Sequence, residues 1–369
     1  MGACRPLHLR PFGGDARATL GTTMAGGYDL VTFGEAMVRL CPPGFGRLEA
    51  ATSLEMRPGG AELNTAVGVA RLGEAHGLKV AWVSRLPRNP LGRFIANRAR
   101  EQGVSLEHLF WDPRADARCG TYFLEEGAAP RASSVVYDRT GSSFAQWTAE
   151  AVDWPAVLHG AKSFLVTGIT PALGAGCLTA TRAAMEAARR AGARVVFDPN
   201  FRSKLWTLEQ ARLVYQELAP LVDVLSCSHE GLRAFYGSDT GDDAVAAAGA
   251  AIARFGLQAV VMTTRIELGM WRNRVGATVV TRDGASPAVH HDRQREVEIV
   301  DRLGAGDAFL AGLLFAVLSE DGQRVDWARA TAYGGACAAL KHTIRGDFPL
   351  LTEAEVRQEI EAPALRIQR

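Results

Sequence analysis

Short apolar runs alternate with longer stretches of helical spacing along most of this chain. Tyr28 to Phe33 is an apolar run ending at Gly34 and predicts a first buried strand. Leu63 to Leu72 has helical spacing, Lys79 to Ser84 predicts a strand, and Leu91 to Gln102 a helix. Ser163 to Thr167, Arg194 to Phe197, Asp223 to Leu225 and Ala259 to Met262 are β-rich runs. Gly176 to Ala191, Leu208 to Leu218 and Asp243 to Phe255 read as helices between them, and the chain from Ala305 on reads as helical. Within this pattern the alanine-rich Ala244 to Ala253 predicts a close-packed helix. Such alternation predicts an α/β fold with a mostly parallel sheet flanked by helices.

Two segments break the rhythm. Cys41 to Glu55 is loop and strand around Pro42-Pro43-Gly44. Gly120 to Glu125 and Ser134 to Tyr137 are short β runs about a Gly/Pro turn, with no helix between them. These predict a separate small sheet, inserted around residues 41–57 and 118–140 of one domain spanning 28–360. Residues 1–27 are rich in Gly, Arg and Thr and lack periodicity, so they are expected to be a disordered extension, with Met24 as an alternative start.

Composition narrows the function classes. The 369 residues carry 41 basic and 40 acidic side chains, a formal net charge of +1, which gives no reason to expect a nucleic-acid partner. A hydrophobic share of 47% with 22% charged residues is ordinary for a globular protein. The cysteines Cys4, Cys41, Cys119, Cys177, Cys227 and Cys337 have no metal-ligand or redox spacing, and read as small buried hydrophobes in a reducing cytoplasm. The longest apolar run, Ala308 to Leu318, falls short of the ~20 residues that a bilayer requires. No apolar core of a secretory signal appears within Met1 to Gly27, so a cytoplasmic location without membrane attachment is expected.

The chemistry concentrates in Val300-Asp301-Arg302-Leu303-Gly304-Ala305-Gly306-Asp307-Ala308-Phe309. A glycine-rich turn there runs into an apolar helix. Glycines leave backbone N–H groups uncovered at a helix N-terminus, where the dipole is positive and anions are favoured. Asp307, beside a bound phosphate, would be placed to take a proton from an attacking hydroxyl. Several other singled-out residues fall just past predicted strands, where open α/β sheets bind ligands. They are Gly34-Glu35, Thr167-Gly168 and Asp198-Pro199-Asn200.

Asp301 to Asp307 resembles the C-terminal signature of the ribokinase/PfkB family of carbohydrate kinases, and Pro58-Gly59-Gly60-Ala61-Glu62-Leu63-Asn64-Thr65-Ala66 resembles its N-terminal Gly-Gly signature. The resemblance implies a ribokinase-like fold, in which the small sheet is a β-sheet lid over the sugar and often a homo-oligomer contact. Thr167 to Leu173, Asp198 to Arg202 with Leu205-Trp206, Tyr137 to Ser142, and Leu340 to Phe348 are similar to stretches of the family's 2-keto-3-deoxygluconate kinases. What this implies is phosphorylation by ATP, with Mg2+, of the primary hydroxyl of a 2-keto-3-deoxy sugar acid.

By the same resemblance Asp307 is the base and Gly304, Ala305 and Gly306 form the anion turn. Gly60, Asn64, Tyr122 and Tyr137 would contact the sugar, and Arg139 and Arg202 are candidates for its carboxylate, since the planar guanidinium matches that group. Ser228, Thr264, Gly269, Gly304, Gly306 and Lys341 would lie near the nucleotide. Ser228-His229-Glu230-Gly231 stands where the family often has an Asn-x-x-Glu that organises Mg2+, and no protein metal ligands are assigned. His290-His291 reads as a solvated pair. Kinases for fructose or 5-keto-2-deoxygluconate, and a weakly catalytic sugar-acid sensor, remain as alternatives. A dinucleotide-binding dehydrogenase is disfavoured, because no Gly-x-Gly-x-x-Gly follows the first strand.

Overall fold

The computed structural model describes residues 27–148, 152–238, 240–283, 286–320 and 324–361. The N-terminal extension expected over 1–27 lies outside them apart from Gly27, as does Cys4. The strands of the large sheet are β1 (Leu30–Phe33), β4 (Val80–Pro87), β5 (Leu109–Asp112), β8 (Ser163–Thr167), β9 (Arg194–Asp198), β10 (Val224–Ser226), β11 (Ala259–Gly269), β12 (Arg272–Asp283), β13 (Ser286–His291) and β14 (Arg295–Glu298). Their spatial order is β13-β12-β11-β10-β9-β8-β1-β4-β5, with β14 also paired to β12. From β11 to β5 every pairing is parallel, while β12, β13 and β14 add an antiparallel edge.

The parallel strands are short and apolar because helices cover both faces. Val31, Phe164, Val195 and Val260 point into one core, and Leu30, Leu165, Val196 and Val261 into the other. The first core packs on α5 (Ala175–Arg190), α6 (Leu208–Leu218), α7 (His229–Tyr236) and α8 (Ala244–Phe255). The second packs on α1 (Ala61–Leu72), α2 (Pro90–Glu101), α9 (Ala305–Leu318), α10 (Trp327–Lys341) and α11 (Glu353–Glu361). Two short helices, α3 (Trp154–Val157) and α4 (Ile169–Ala172), complete the set among the described residues. Every residue of α9 from Ala308 to Leu318 is buried, so its uniformly apolar sequence marks a helix surrounded by protein. The alanines Ala247, Ala248 and Ala251 of α8 are fully buried, as expected of a close-packed helix. Among the described residues no helix is long and apolar enough to cross a membrane.

The second sheet has the order β3-β2-β6-β7, built from β2 (Met37–Cys41), β3 (Glu55–Gly59), β6 (Thr121–Glu125) and β7 (Ser134–Asp138). The first of these strands begins at Met37, ahead of the segment from 41 on from which a small sheet was expected. Strand β7 is its exposed edge.

Strand order places the site. From β1 the chain builds β4 and β5 on one side, then returns to build β8 to β11 on the other. The switch between β1 and β8 opens a crevice at their carboxyl ends, where α/β sheets bind ligands.

Candidate active site

Gly304 takes a left-handed conformation (φ 82°, ψ 0°) at the N-cap of α9, and a Cβ there would run into the carbonyl oxygen of Asp347. Only glycine fits such a position. Gly306 faces open space. The first N–H groups of an apolar helix therefore meet a cavity, and there they favour an anion. Asp301 braces this turn from behind, accepting from Leu303 N at 3.0 Å and Gly346 N at 2.9 Å.

Asp307, third residue of α9, is oriented by α1. Gly68 lets the two helices close up, since a Cβ on it would come within 2.5 Å of Ala311 Cβ. Asn64 Nδ2 then donates to Asp307 Oδ2 at 2.7 Å, while Asn64 Oδ1 accepts from Gly60 N at 3.3 Å. Desolvation pushes the Asp307 carboxyl up to about 7; Asp198, Asp347 and Glu62 add to the rise and the Asn64 bond opposes it. A carboxyl poised near neutrality suits a general base working at neutral pH.

In front of Asp307 lies a cavity of about 280 Å³, walled by both sheets. Arg139 reaches it from the segment after β7, but its guanidinium is already paired with Glu35, donating through Nε at 3.0 Å and through Nη2. Ser142 holds the other oxygen of Glu35. Arg202 is different: it is exposed, Nη1 donates to the carbonyls of Phe201 (3.1 Å) and Asn200 (3.4 Å), and among the described residues no carboxylate is in direct ion-pair contact with it, although its charge acts on Asp198. Tyr122 donates to Asp347 Oδ2 at 2.6 Å and lies 5.9 Å, ring to ring, from Tyr137. Asp198 on the same wall is pushed up to about 6, chiefly by desolvation. Glu62 is buried and accepts from Thr167 N at 2.9 Å and from the hydroxyls of Thr167 and Thr170 at 2.8 Å, fixing the stretch after β8.

A second cavity, about 680 Å³, lies on the other side of the turn between α7, α10 and the β11–β12 hairpin. Ser228 caps α7, its Oγ accepting from Gly231 N at 3.1 Å, and Glu230 follows on the cavity wall. The Glu230 carboxyl is held below its ordinary value by its own backbone N–H and by the Ser228 hydroxyl. Among the described residues no group of three or more His, Cys, Asp or Glu is arranged to hold a metal ion. Two cavities joined at an anion turn, with a base on one side, form the layout of a phosphotransferase.

Residues 28–349 match the model of the pfkB family of carbohydrate kinases. The chain belongs to this family. A 2-dehydro-3-deoxygalactonokinase of Haloferax volcanii is 38% identical, over 92% of this chain and 99% of that protein. A fructokinase of Klebsiella pneumoniae is 33% identical, over 86% of this chain and 94% of its own. The solved structure of 2-dehydro-3-deoxygluconokinase from Thermotoga maritima overlays with a TM-score of 0.83 at 34% identity, over 91% of this chain and 99% of that one.

In this carbohydrate kinase the smaller cavity gathers Gly60, Asn64, Tyr122, Tyr137, Arg139 and Arg202 with Gly304, Ala305, Gly306 and Asp307. Ser228, Thr264 and Gly306 line the larger one. Gly269 and Lys341 are not on its wall. Gly269 ends β11 in open space, and Lys341 is fully buried with Nζ donating to Ile344 O at 3.0 Å; the neighbouring His342 takes the wall position. Besides Glu62 and Asp198, further charged residues with no role assigned from the sequence belong to the site. Glu35, Asp347 and Arg302 line the smaller cavity. Buried Arg39 of β2 donates to Asp301 Oδ2 at 2.7 Å and Asp347 Oδ1 at 2.9 Å, tying the small sheet to the anion turn. Burial opposes the Arg39 charge, but Asp347 and Asp301 outweigh it and hold the guanidinium charged.

Proposed function

We propose that this kinase transfers the γ-phosphoryl group of ATP to the primary hydroxyl of a 2-keto-3-deoxy sugar acid, giving its 6-phosphate. The observation that carries the reading is Arg202, a guanidinium on the sugar-side wall whose hydrogen bonds go to backbone carbonyls and which has no carboxylate in direct contact among the described residues. A substrate carboxylate would supply the missing partner in a charge-assisted, bidentate bond. Fructose has no carboxylate to take up the direct ion pair that Arg202 lacks, and would leave it only the longer-range attraction of Asp198. The likeness to kinases named for the galacto and gluco acids supports the same class, and either C4 epimer falls within the proposal.

Asp307 takes the hydroxyl proton, Asn64 orients that carboxylate, and the N–H groups at Gly304 to Gly306 receive the charge that develops on the phosphate. Arg139, neutralised by Glu35, serves as a fixed hydrogen-bonding wall. Mg2+ fits this site as a companion of the nucleotide phosphates, with Glu230 the carboxylate offered to its water shell; when bound it neutralises phosphate charge. The exposed edge strand β7, with Val136 outward, supports a homo-oligomer contact on the lid. The test is product identity. Incubation with ATP, Mg2+ and 2-keto-3-deoxygluconate or its galactonate-derived epimer should give, with at least one of them, equimolar ADP and a phosphorus resonance coupled to two methylene protons. A product phosphorylated on a secondary hydroxyl, or no product from either epimer, defeats the reading.

A further inference from the structure

Arg302, Ala305 and Gly306 are the residues that line both cavities, and Arg302 is the only one of the three that carries a charge. Its side chain is 34% exposed, so a ligand can reach it. The guanidinium rests on the β11–β12 hairpin. It donates to Met270 O, stands 5.9 Å from the Trp271 ring centroid, and lies 3.8 Å from the exposed Glu267. The same Trp271 meets Phe45 of the β2–β3 loop at 5.5 Å between centroids, so the small sheet reaches over the place where Arg302 is held.

We propose that Arg302 is a further catalytic residue, whose guanidinium binds the γ-phosphate where that group crosses from the nucleotide cavity to the sugar cavity. In the transfer the sugar hydroxyl oxygen bonds to the γ-phosphorus and its proton goes to Asp307. The bond from that phosphorus to the β,γ-bridging oxygen breaks, and its electron pair leaves on ADP. Negative charge thereby moves toward a wall that already carries Asp307, Asp198 and Asp347. The N–H groups of the turn offer only partial positive charge. A full, planar cation on the shared wall opposes the repulsion where it is greatest.

The assignment rests on the phosphotransfer reading and is independent of which sugar is used. The probes are ADP and β,γ-imido-ATP, titrated calorimetrically into the full-length protein, with turnover measured on whichever sugar the wild type phosphorylates. Failure of the acid-sugar reading therefore leaves this test intact. Arg302→Met should weaken imido-ATP about 10- to 150-fold more than ADP, the worth of a charge-assisted hydrogen bond. Its kcat should fall about 10²- to 10³-fold, with the KM of the sugar nearly unchanged. Should the Met variant unfold, Arg302→Gln, which can keep the bond to Met270 O without the charge, decides by the same nucleotide ratio. Equal weakening of both nucleotides, unchanged turnover, or a rise confined to the sugar KM would overturn the proposal.

Discussion

Replacing Asp307 with Asn changes one atom and separates catalysis from stability. The carboxyl stands at about 7 against an ordinary 3.8, so ionising it in the folded protein costs on the order of 4 kcal/mol at ~1.4 kcal/mol per tenfold. Asp307 faces a cavity, and water there lowers the effective cost to about 1–3 kcal/mol. The sign follows from proton uptake. Between pH 4 and 7 the folded state binds a proton that the unfolded state has released, so this contribution to stability is complete below about 4 and lost as pH rises through 7. Asp307→Asn has no such loss, and its amide can still meet Asn64. Urea unfolding should therefore show the variant gaining about 1–3 kcal/mol on wild type between pH 5 and pH 8. Its turnover should fall ~10²- to 10⁴-fold, while the wild-type kcat/KM rises with pH toward a plateau above 7. A variant with near wild-type turnover, or a stability difference that ignores pH, would refute the reasoning.

Arg202→Met should raise the KM of the acid substrate about 10- to 150-fold and leave that of ATP unchanged in steady-state assays, because Arg202 lies on the sugar side alone. Arg39→Met removes the cation between Asp301 and Asp347, leaving two buried carboxylates without it; urea unfolding should report a loss of about 3–5 kcal/mol.

The parallel core was legible because its strands are short apolar runs. The strand predicted over Ala259 to Met262 stops where burial stops; the rest of β11, through Gly269, is exposed and held by pairing to β12. The exposed half of β11 carries no hydrophobic signal, and although Val275, Ala277, Val279 and Val280 of β12 are buried, the antiparallel edge went unread with it. The glycine turn and Asp307 were legible because a helix N-terminus is a local feature. Partners distant in the chain were not. Glu35 lies 104 residues from Arg139, and Arg39 lies 262 from Asp301. A motif could nominate Arg139 for a carboxylate without revealing that Glu35 had already claimed it. Lys341 is expected near the nucleotide by the family resemblance alone, whereas its amine turns inward to Ile344 O.

The most direct test of the account is the ratio of kcat/KM for 2-keto-3-deoxygluconate or its galactonate-derived epimer to that for fructose, measured by coupled ADP release with wild-type protein. With Arg202 the one sugar-side guanidinium without a direct ion pair among the described residues, the better acid should exceed fructose by about 10- to 150-fold, the range of one charge-assisted hydrogen bond. Fructose turned over as efficiently as either acid would contradict the assignment of Arg202 to a substrate carboxylate, and with it the sugar-acid reading.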